Sequence, residues 1–308
     1  MSQEVNVVTG AFGYTGRYIT RRLLDLGRPV RTLISHSHLH NPFGSQVSVA
    51  RLDFSSRERL QEGLCGATTL YNTYWVRFCR GEVTFELAVD NTRLLLEAAL
   101  AAGVRRIVHI SVTNPSHSSA LPYFRGKAEV EDVIKRSGLS YAILRPALIF
   151  GQGDILINNI AWLLRRFPLF LLPGTGSYRL QPIFAPELAD IAVRAADRQD
   201  DFVADALGPD VYTFEEMVRL TGQAVGSRCL ILPAPRRLAL FCCRLLGAVL
   251  KDVILTSDEI EGLSCELLVS DGAIEGVTRL SDWLRENGAD LGVHYASELF
   301  RHFEEREG

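Results

Sequence analysis

Six short apolar runs alternate with helix-period stretches through the first 146 residues, and this alternation narrows the fold more than any other feature. Val5–Val8, Val30–Ile34, Val47–Leu52, Thr68–Asn72, Arg106–Ser111 and Tyr141–Leu144 predict strands. Arg17–Leu26, Arg57–Leu64, Thr84–Ala102 and Tyr123–Ser137 predict helices, three of them stopped by Gly27, Gly103 and Gly138. Strands joined through helices require right-handed crossovers and a parallel sheet covered on both faces. The expectation is an α/β fold, a doubly wound parallel sheet with a smaller C-terminal lobe. Residues 1–150 make the core, with 181–200 returning to the sheet as strand Gln181–Phe184 and helix Glu187–Ala196. Residues 151–180 and 201–308 make the smaller lobe, which carries the substrate.

The chain has 308 residues, 47% apolar and 22% charged, which excludes a disordered or collagen-like protein. Its net charge of -3, with mixed signs, gives no electrostatic reason to bind nucleic acid. Of the 33 basic residues only Lys127, Lys135 and Lys251 are lysines, so a lysine placed beside another reactive group carries information. Six cysteines form no C-x-x-C pair and no zinc spacing, and no signal-like apolar segment precedes Val5, so a reducing cytoplasm is expected. The run Leu238–Leu250 contains Arg244 and is shorter than the ~20 residues of a bilayer span. It predicts a buried helix and no transmembrane segment; peripheral contact with a membrane through the adjoining Arg236 and Arg237 is the lesser reading.

Gly10, Gly13 and Gly16 stand between the first strand and the first helix, in the segment Gly10-Ala-Phe12-Gly13-Tyr14-Thr15-Gly16. Glycines at this spacing allow a tight turn, close approach of backbone to a pyrophosphate, and tight helix–sheet packing, while the helix N-terminus offers N–H groups to the anion. The pattern predicts a dinucleotide site. A carboxylate about 20 residues on would hold the 2′-hydroxyl of NAD(H), yet no Asp or Glu occurs between Leu26 and Leu52. Ser35 and His36 end the second strand instead, with Arg31 on it, so NADP(H) is favoured over NAD(H). No metal site is expected from His36, His38 and His40, because no acidic ligand is near.

Tyr123 and Lys127 lie one helical turn apart on one face. A phenol ionises near pH 10, so a neighbouring cation favours the phenolate nearer neutrality. Tyr123 could then exchange a proton with a carbonyl or hydroxyl oxygen while hydride moves to or from a nicotinamide.

With these motifs the chain resembles the extended and atypical branches of the short-chain dehydrogenase/reductase superfamily, built on the Rossmann fold. The resemblance covers nearly the whole chain: the glycine loop, Leu52-Asp53-Phe54, Asn72-Thr73, Asn91, Ile110-Ser-Val-Thr113, Tyr123 with Lys127, Leu144-Arg-Pro146 and Phe150-Gly151. It implies that Asp53 and Phe54 meet the adenine, that Asn72 and Thr73 lie along the cofactor, that Lys127 binds the nicotinamide ribose and that Pro146 borders the nicotinamide. Tyr123-Phe-Arg-Gly-Lys-Ala-Glu-Val-Glu131, Gly153–Trp162 and Arg165-Arg-Phe-Pro168 are similar to the atypical group containing the Rossmann-type accessory subunit of respiratory complex I and its free-standing bacterial relatives. The third catalytic position calls for Ser or Thr after strand five. Ser111 and Thr113 are two apart on extended chain and share a face, so direction does not separate them; Thr113 is taken as the substrate-facing hydroxyl and Ser111 as a cofactor-side contact. Glu187, where relatives carry an acidic residue after the returning strand, receives no role.

The expected function is NAD(P)-dependent oxidoreduction by Tyr–Lys acid/base chemistry on a carbonyl or hydroxyl group of a small molecule. Trp162 and the apolar 238–250 run weakly suggest a lipophilic substrate. Two alternatives use the same fold: a nucleotide-sugar epimerase or dehydratase, and a non-catalytic NAD(P)H-binding accessory or sensor protein.

Overall fold

The computed structural model describes residues 4–35 and 40–303. The chain divides into two compact units, one of residues 1–146 and 185–206, the other of 147–184 and 207–308. In chain order the first unit contains β1 (Val5–Thr9), α1 (Tyr14–Asp25), β2 (Val30–Ile34), β3 (Val47–Arg51), α2 (Arg57–Leu64), β4 (Ala67–Asn72), α3 (Phe85–Ala101), β5 (Arg106–Ile110), α4 (Pro122–Lys135) and β6 (Ser140–Pro146). The chain enters the second unit with β7 (Leu148–Phe150), α5 (Leu156–Arg166), β8 (Leu169–Pro173), β9 (Arg179–Leu180) and β10 (Pro182–Phe184). It returns with α6 (Ala185–Ala196) and β11 (Phe202–Ala206). The remainder of the second unit is β12 (Tyr212–Thr213), α7 (Phe214–Ala224), β13 (Leu230–Ala234), α8 (Arg236–Leu250), α9 (Ser257–Ser264), α10 (Leu280–Asn287) and α11 (Glu298–His302).

Seven parallel strands form the sheet of the first unit in the order β3-β2-β1-β4-β5-β6-β11. The central strands are apolar on both faces because helices cover both: Val7, Val8, Leu70, Ile107, Val108 and Ile143 are all fully buried. Each such side chain contributes about 1.5–3 kcal/mol of hydrophobic stabilisation. On one face Leu60 and Leu64 of α2, Leu95 of α3 and Ile134 of α4 join this core. Ser56 and Thr84 cap α2 and α3, accepting from the Arg59 and Leu87 N–H groups at 3.3 and 3.1 Å. Arg106, 5% exposed, ties β5 to the end of α6 by donating to the Ala195 carbonyl at 3.0 Å.

Three expectations are corrected here. The segment expected to return to the sheet as a strand, 181–184, contributes β10, which pairs with β7 in the second unit. The seventh sheet strand is β11, in the stretch assigned to the lobe. As an edge strand it pairs on one side only and is half-buried, so its sequence, with Asp205 inside, lacks a core strand's apolar signature. The run 238–250 is helical, but it is not a buried helix: only Ala239 and Gly247 of α8 are buried. The second unit has its own core, with Phe150, Ile157, Leu172, Met217 and Leu284 at its centre. Among the described residues no helix is long and apolar enough to cross a membrane.

Candidate cofactor and catalytic site

The strand order reverses between β1 and β4, and the carboxyl ends of strands at such a switch point are where open α/β sheets take ligands. The loop after β1 turns at Gly10, whose φ of +66° suits a residue without Cβ. Its N–H donates to the Leu33 carbonyl at 2.9 Å, and its own carbonyl accepts from Gly13 at 2.9 Å. A Cβ on Gly16 would lie 2.2 Å from the Gly10 carbonyl oxygen, so α1 can start this close to the loop only with glycine there. No side chain caps α1 at Gly13 and no acidic residue stands in its first turn. The positive end of the helix dipole at this turn favours an anion such as a phosphate. Phe12, Tyr14 and Thr15 are half-buried along this turn.

The ends of β1, β4 and β5 are tied together by buried polar groups. Thr9 Oγ1 accepts from the Thr73 and Tyr74 N–H groups at 2.8 and 3.1 Å, and the Thr73 hydroxyl donates to the Thr9 carbonyl at 2.6 Å. Asn72 is fully buried; its amide donates to His109 Nδ1 at 3.2 Å and accepts from the Tyr74 N–H at 3.1 Å. Thr73 therefore flanks Gly10, whereas Asn72 supports the floor beneath. His109 is buried, and both desolvation and the nearby Lys127 push its pKa well down, so the ring is neutral. With Nδ1 accepting, the proton is on Nε2, which among the described residues has no hydrogen-bond partner.

Beyond the end of β3, Asp53 accepts from the Ser55 hydroxyl at 2.6 Å, the Ser55 N–H at 3.0 Å and Arg59 at 2.7 Å. These donors lower its pKa to about 2. The Phe54 ring lies 4.8 Å from that of Tyr74, whose hydroxyl accepts from Asn91 at 2.9 Å. Ser35 is exposed at the end of β2, and His36 lies outside the described residues. Arg31 is committed elsewhere: its guanidinium donates to the Gly63 and Cys65 carbonyls at 3.0 and 2.8 Å, closing the end of α2.

The candidate acid/base residues come from α4 and the segment after β5, beside the end of β6. Lys127 is 3% exposed and donates from Nζ to the Ile110 carbonyl at 2.9 Å. Burial lowers its pKa to about 7, against the attraction of Glu131. Tyr123 stands one turn earlier, half-buried, edge-on to Trp75 at 6.0 Å and to Phe85 at 5.9 Å. Thr113 is fully buried and its N–H donates to the Pro146 carbonyl at 3.0 Å, placing these two residues side by side. The Ser111 hydroxyl donates to Glu131 Oε1 at 2.7 Å, which commits its one proton to α4.

Three further residues shape this site without having been singled out in the sequence. Trp75 places its ring 4.8 Å from Lys127 Nζ and stacks on Phe85. Gly126 makes room for it, since a Cβ there would lie 2.9 Å from the indole. Glu131, 1% exposed, joins Ser111 to Arg145, whose Nε and Nη2 it holds at 2.8 and 2.6 Å. Its signal was present: Tyr123, Lys127 and Glu131 recur every four residues along one helix face.

Residues 10–154 match the family described as NAD(P)H-binding. The chain is 25% identical, over 89% of its length and 73% of the relative's, to the mitochondrial NADH dehydrogenase [ubiquinone] 1 alpha subcomplex subunit 9 of Arabidopsis thaliana. A photosystem II assembly factor of Guillardia theta is 27% identical, over 78% of this chain and 76% of its own. Among solved structures, the NADPH-dependent quinone oxidoreductase of Escherichia coli in complex with NADPH superposes with a TM-score of 0.73 at 19% identity, covering 92% of this chain and 98% of that one. The Citrobacter sp. triphenylmethane reductase complexed with NADP(H) gives 0.65 at 19% identity, covering 92% and 99%. Residues 10–154 thus match an NAD(P)H-binding family, and the chain is similar over most of its length to the mitochondrial NADH dehydrogenase subunit and to the photosystem II assembly factor.

Proposed function

We propose that the protein is an NADP(H)-dependent oxidoreductase acting on a carbonyl or hydroxyl group. The observation that carries the reading is the placement of Lys127. A lysine is buried here, at a cost, one turn from Tyr123 and against the carbonyl of the last residue of β5. The glycine loop and uncapped α1 would hold the pyrophosphate, and Lys127 the nicotinamide ribose; the cofactor supplies or accepts hydride. In the direction of reduction, Tyr123 donates its proton to the carbonyl oxygen as that oxygen gains charge, Thr113 hydrogen-bonds the same oxygen, and the Lys127 ammonium stabilises the phenolate left behind. In oxidation the proton returns to Tyr123. Ser111 acts through Glu131 to position α4, and its hydroxyl makes no bond to substrate in this reading.

Turnover of NADPH with a panel of quinones and ketones, compared between the wild type and Tyr123→Phe, tests the reading. A loss of about a hundredfold or more in kcat is expected; unchanged turnover in the variant overturns it. A second reading, a cofactor-binding accessory protein without turnover, draws on the similarity to the complex I subunit. It predicts tight NADPH binding that Tyr123→Phe leaves intact, with no oxidation of bound NADPH by any carbonyl compound.

A further inference from the structure

The helix α8 is apolar on two opposite faces. Ala239 and Gly247 are buried, and Leu240, Cys243, Leu246 and Leu250 are half-buried beside them. A Cβ on Gly247 would lie 2.6 Å from the Asp252 carbonyl oxygen, so the chain leaving α8 folds closely back on this face. At 100° per residue, Leu238, Phe241, Leu245 and Val249 fall together on the other side, and they are 47%, 58%, 55% and 79% exposed. The strand leading into the helix adds Leu230 and Leu232, 58% and 41% exposed. Scattered exposed leucines need no explanation, whereas a continuous stripe of this kind marks a surface that is covered in use.

Charge identifies the cover. From Arg236 to Lys251 the chain has four cations and no Asp or Glu, within a protein of net charge -3. Arg236 pairs with Glu261 at 3.2 Å. Arg237 and Arg244 lie on one margin of the exposed stripe, and among the described residues neither of them nor Lys251 has an ion-pair partner. An apolar face rimmed by cations suits the boundary between acyl chains and anionic headgroups, where the arginine stems lie along the apolar region and the guanidinium groups reach phosphate. A second copy of the chain fits less well, because self-pairing of this face would bring like charges together without an acid in the segment. The helix has 15 residues, too few to span a bilayer.

We propose that α8 is an interfacial helix that seats the protein on an anionic lipid surface, with Phe241 and Leu245 inserted and Arg237 and Arg244 at the headgroups. The test is co-sedimentation of the full chain with vesicles of phosphatidylcholine alone or with one third phosphatidylglycerol, at low and high salt. Binding to the anionic vesicles is expected. It should fall more than about tenfold in Phe241→Asp/Leu245→Asp, and about tenfold in Arg237→Gln/Arg244→Gln or at high salt. Leu100→Asp, at an exposed leucine of α3, should leave it unchanged. Melting curves and NADPH titration check that each variant is folded. The proposal is overturned by absence of binding to anionic vesicles, by binding that survives Phe241→Asp/Leu245→Asp, or by a wild-type dimer in analytical ultracentrifugation that this variant dissociates.

Discussion

The ammonium of Lys127 lies 4.8 Å from the centre of the Trp75 ring, inside a site whose burial lowers its pKa from near 10.5 to about 7. Between those values the unfolded chain holds a proton that the folded chain releases. Stability therefore rises with pH across the window, by up to about 1.4 kcal/mol per pH unit, and the cost of burying the charge is fully present below pH 7. Lys127→Met should remove this slope from urea-denaturation midpoints measured between pH 6.5 and 10. If the slope persists in the variant, another group is its source. For carbonyl reduction, kcat/KM of the free enzyme should decline as pH rises through about 7, where Lys127 loses its charge.

Ser111 and Thr113 should separate in mutants. Ser111→Ala leaves Glu131 without one of its donors, and should lower stability by about 1–3 kcal/mol while kcat stays within about threefold. Thr113→Ala should lower kcat by about ten- to a hundredfold, as loss of a hydrogen bond to the reacting oxygen does. The reverse pattern, a catalytic defect in Ser111→Ala alone, would assign the substrate-facing hydroxyl to Ser111.

Gly16→Ala should raise the Kd for NADPH by more than about tenfold, because its Cβ cannot fit 2.2 Å from the Gly10 carbonyl oxygen and the loop must move. Gly27→Ala offers the contrast. It meets no atom within 4 Å but has a φ of +68°, so it should cost about 1 kcal/mol of stability and leave cofactor affinity alone. Fluorescence titration beside thermal melting reads both quantities.

Cofactor choice should follow Ser35 and not Arg31. Calorimetry at one salt concentration is expected to show tighter NADP(H) than NAD(H), since no carboxylate lies between Leu26 and Leu52 to repel a 2′-phosphate. Arg31→Gln should preserve that preference and lower stability, because the guanidinium serves the carbonyl end of α2. Ser35→Asp should reverse it. Equal affinities in the wild type, or a preference lost in Arg31→Gln, would contradict this assignment.

Features that repeat locally were legible in the sequence. The strand–helix rhythm, the glycine loop and the Tyr123–Lys127 turn each depend on spacings of a few residues. What escaped depends on partners distant in the chain. Trp75 approaches Lys127 only because β4 and β5 pair, with Asn72 opposite His109, and the chain turns back over α4. Arg31 could serve a phosphate or a helix end on sequence grounds, and α2 decides it. The exposure of α8 was hidden for another reason: a helix apolar on both faces has the composition of a buried one.

The first unit is interrupted. Its sheet is left unfinished at Pro146 and is completed by β11 only after 38 residues of the other unit, Ala147–Phe184, have been made. During synthesis the outer side of β6 is a bare apolar edge, with Ala142, Ile143 and Leu144 buried once folding is complete. Such edges recruit strands from other chains. The nascent protein thus passes through a sticky interval between emergence of β6 and arrival of β11, and truncation anywhere inside it should yield aggregates instead of an isolated nucleotide-binding fragment.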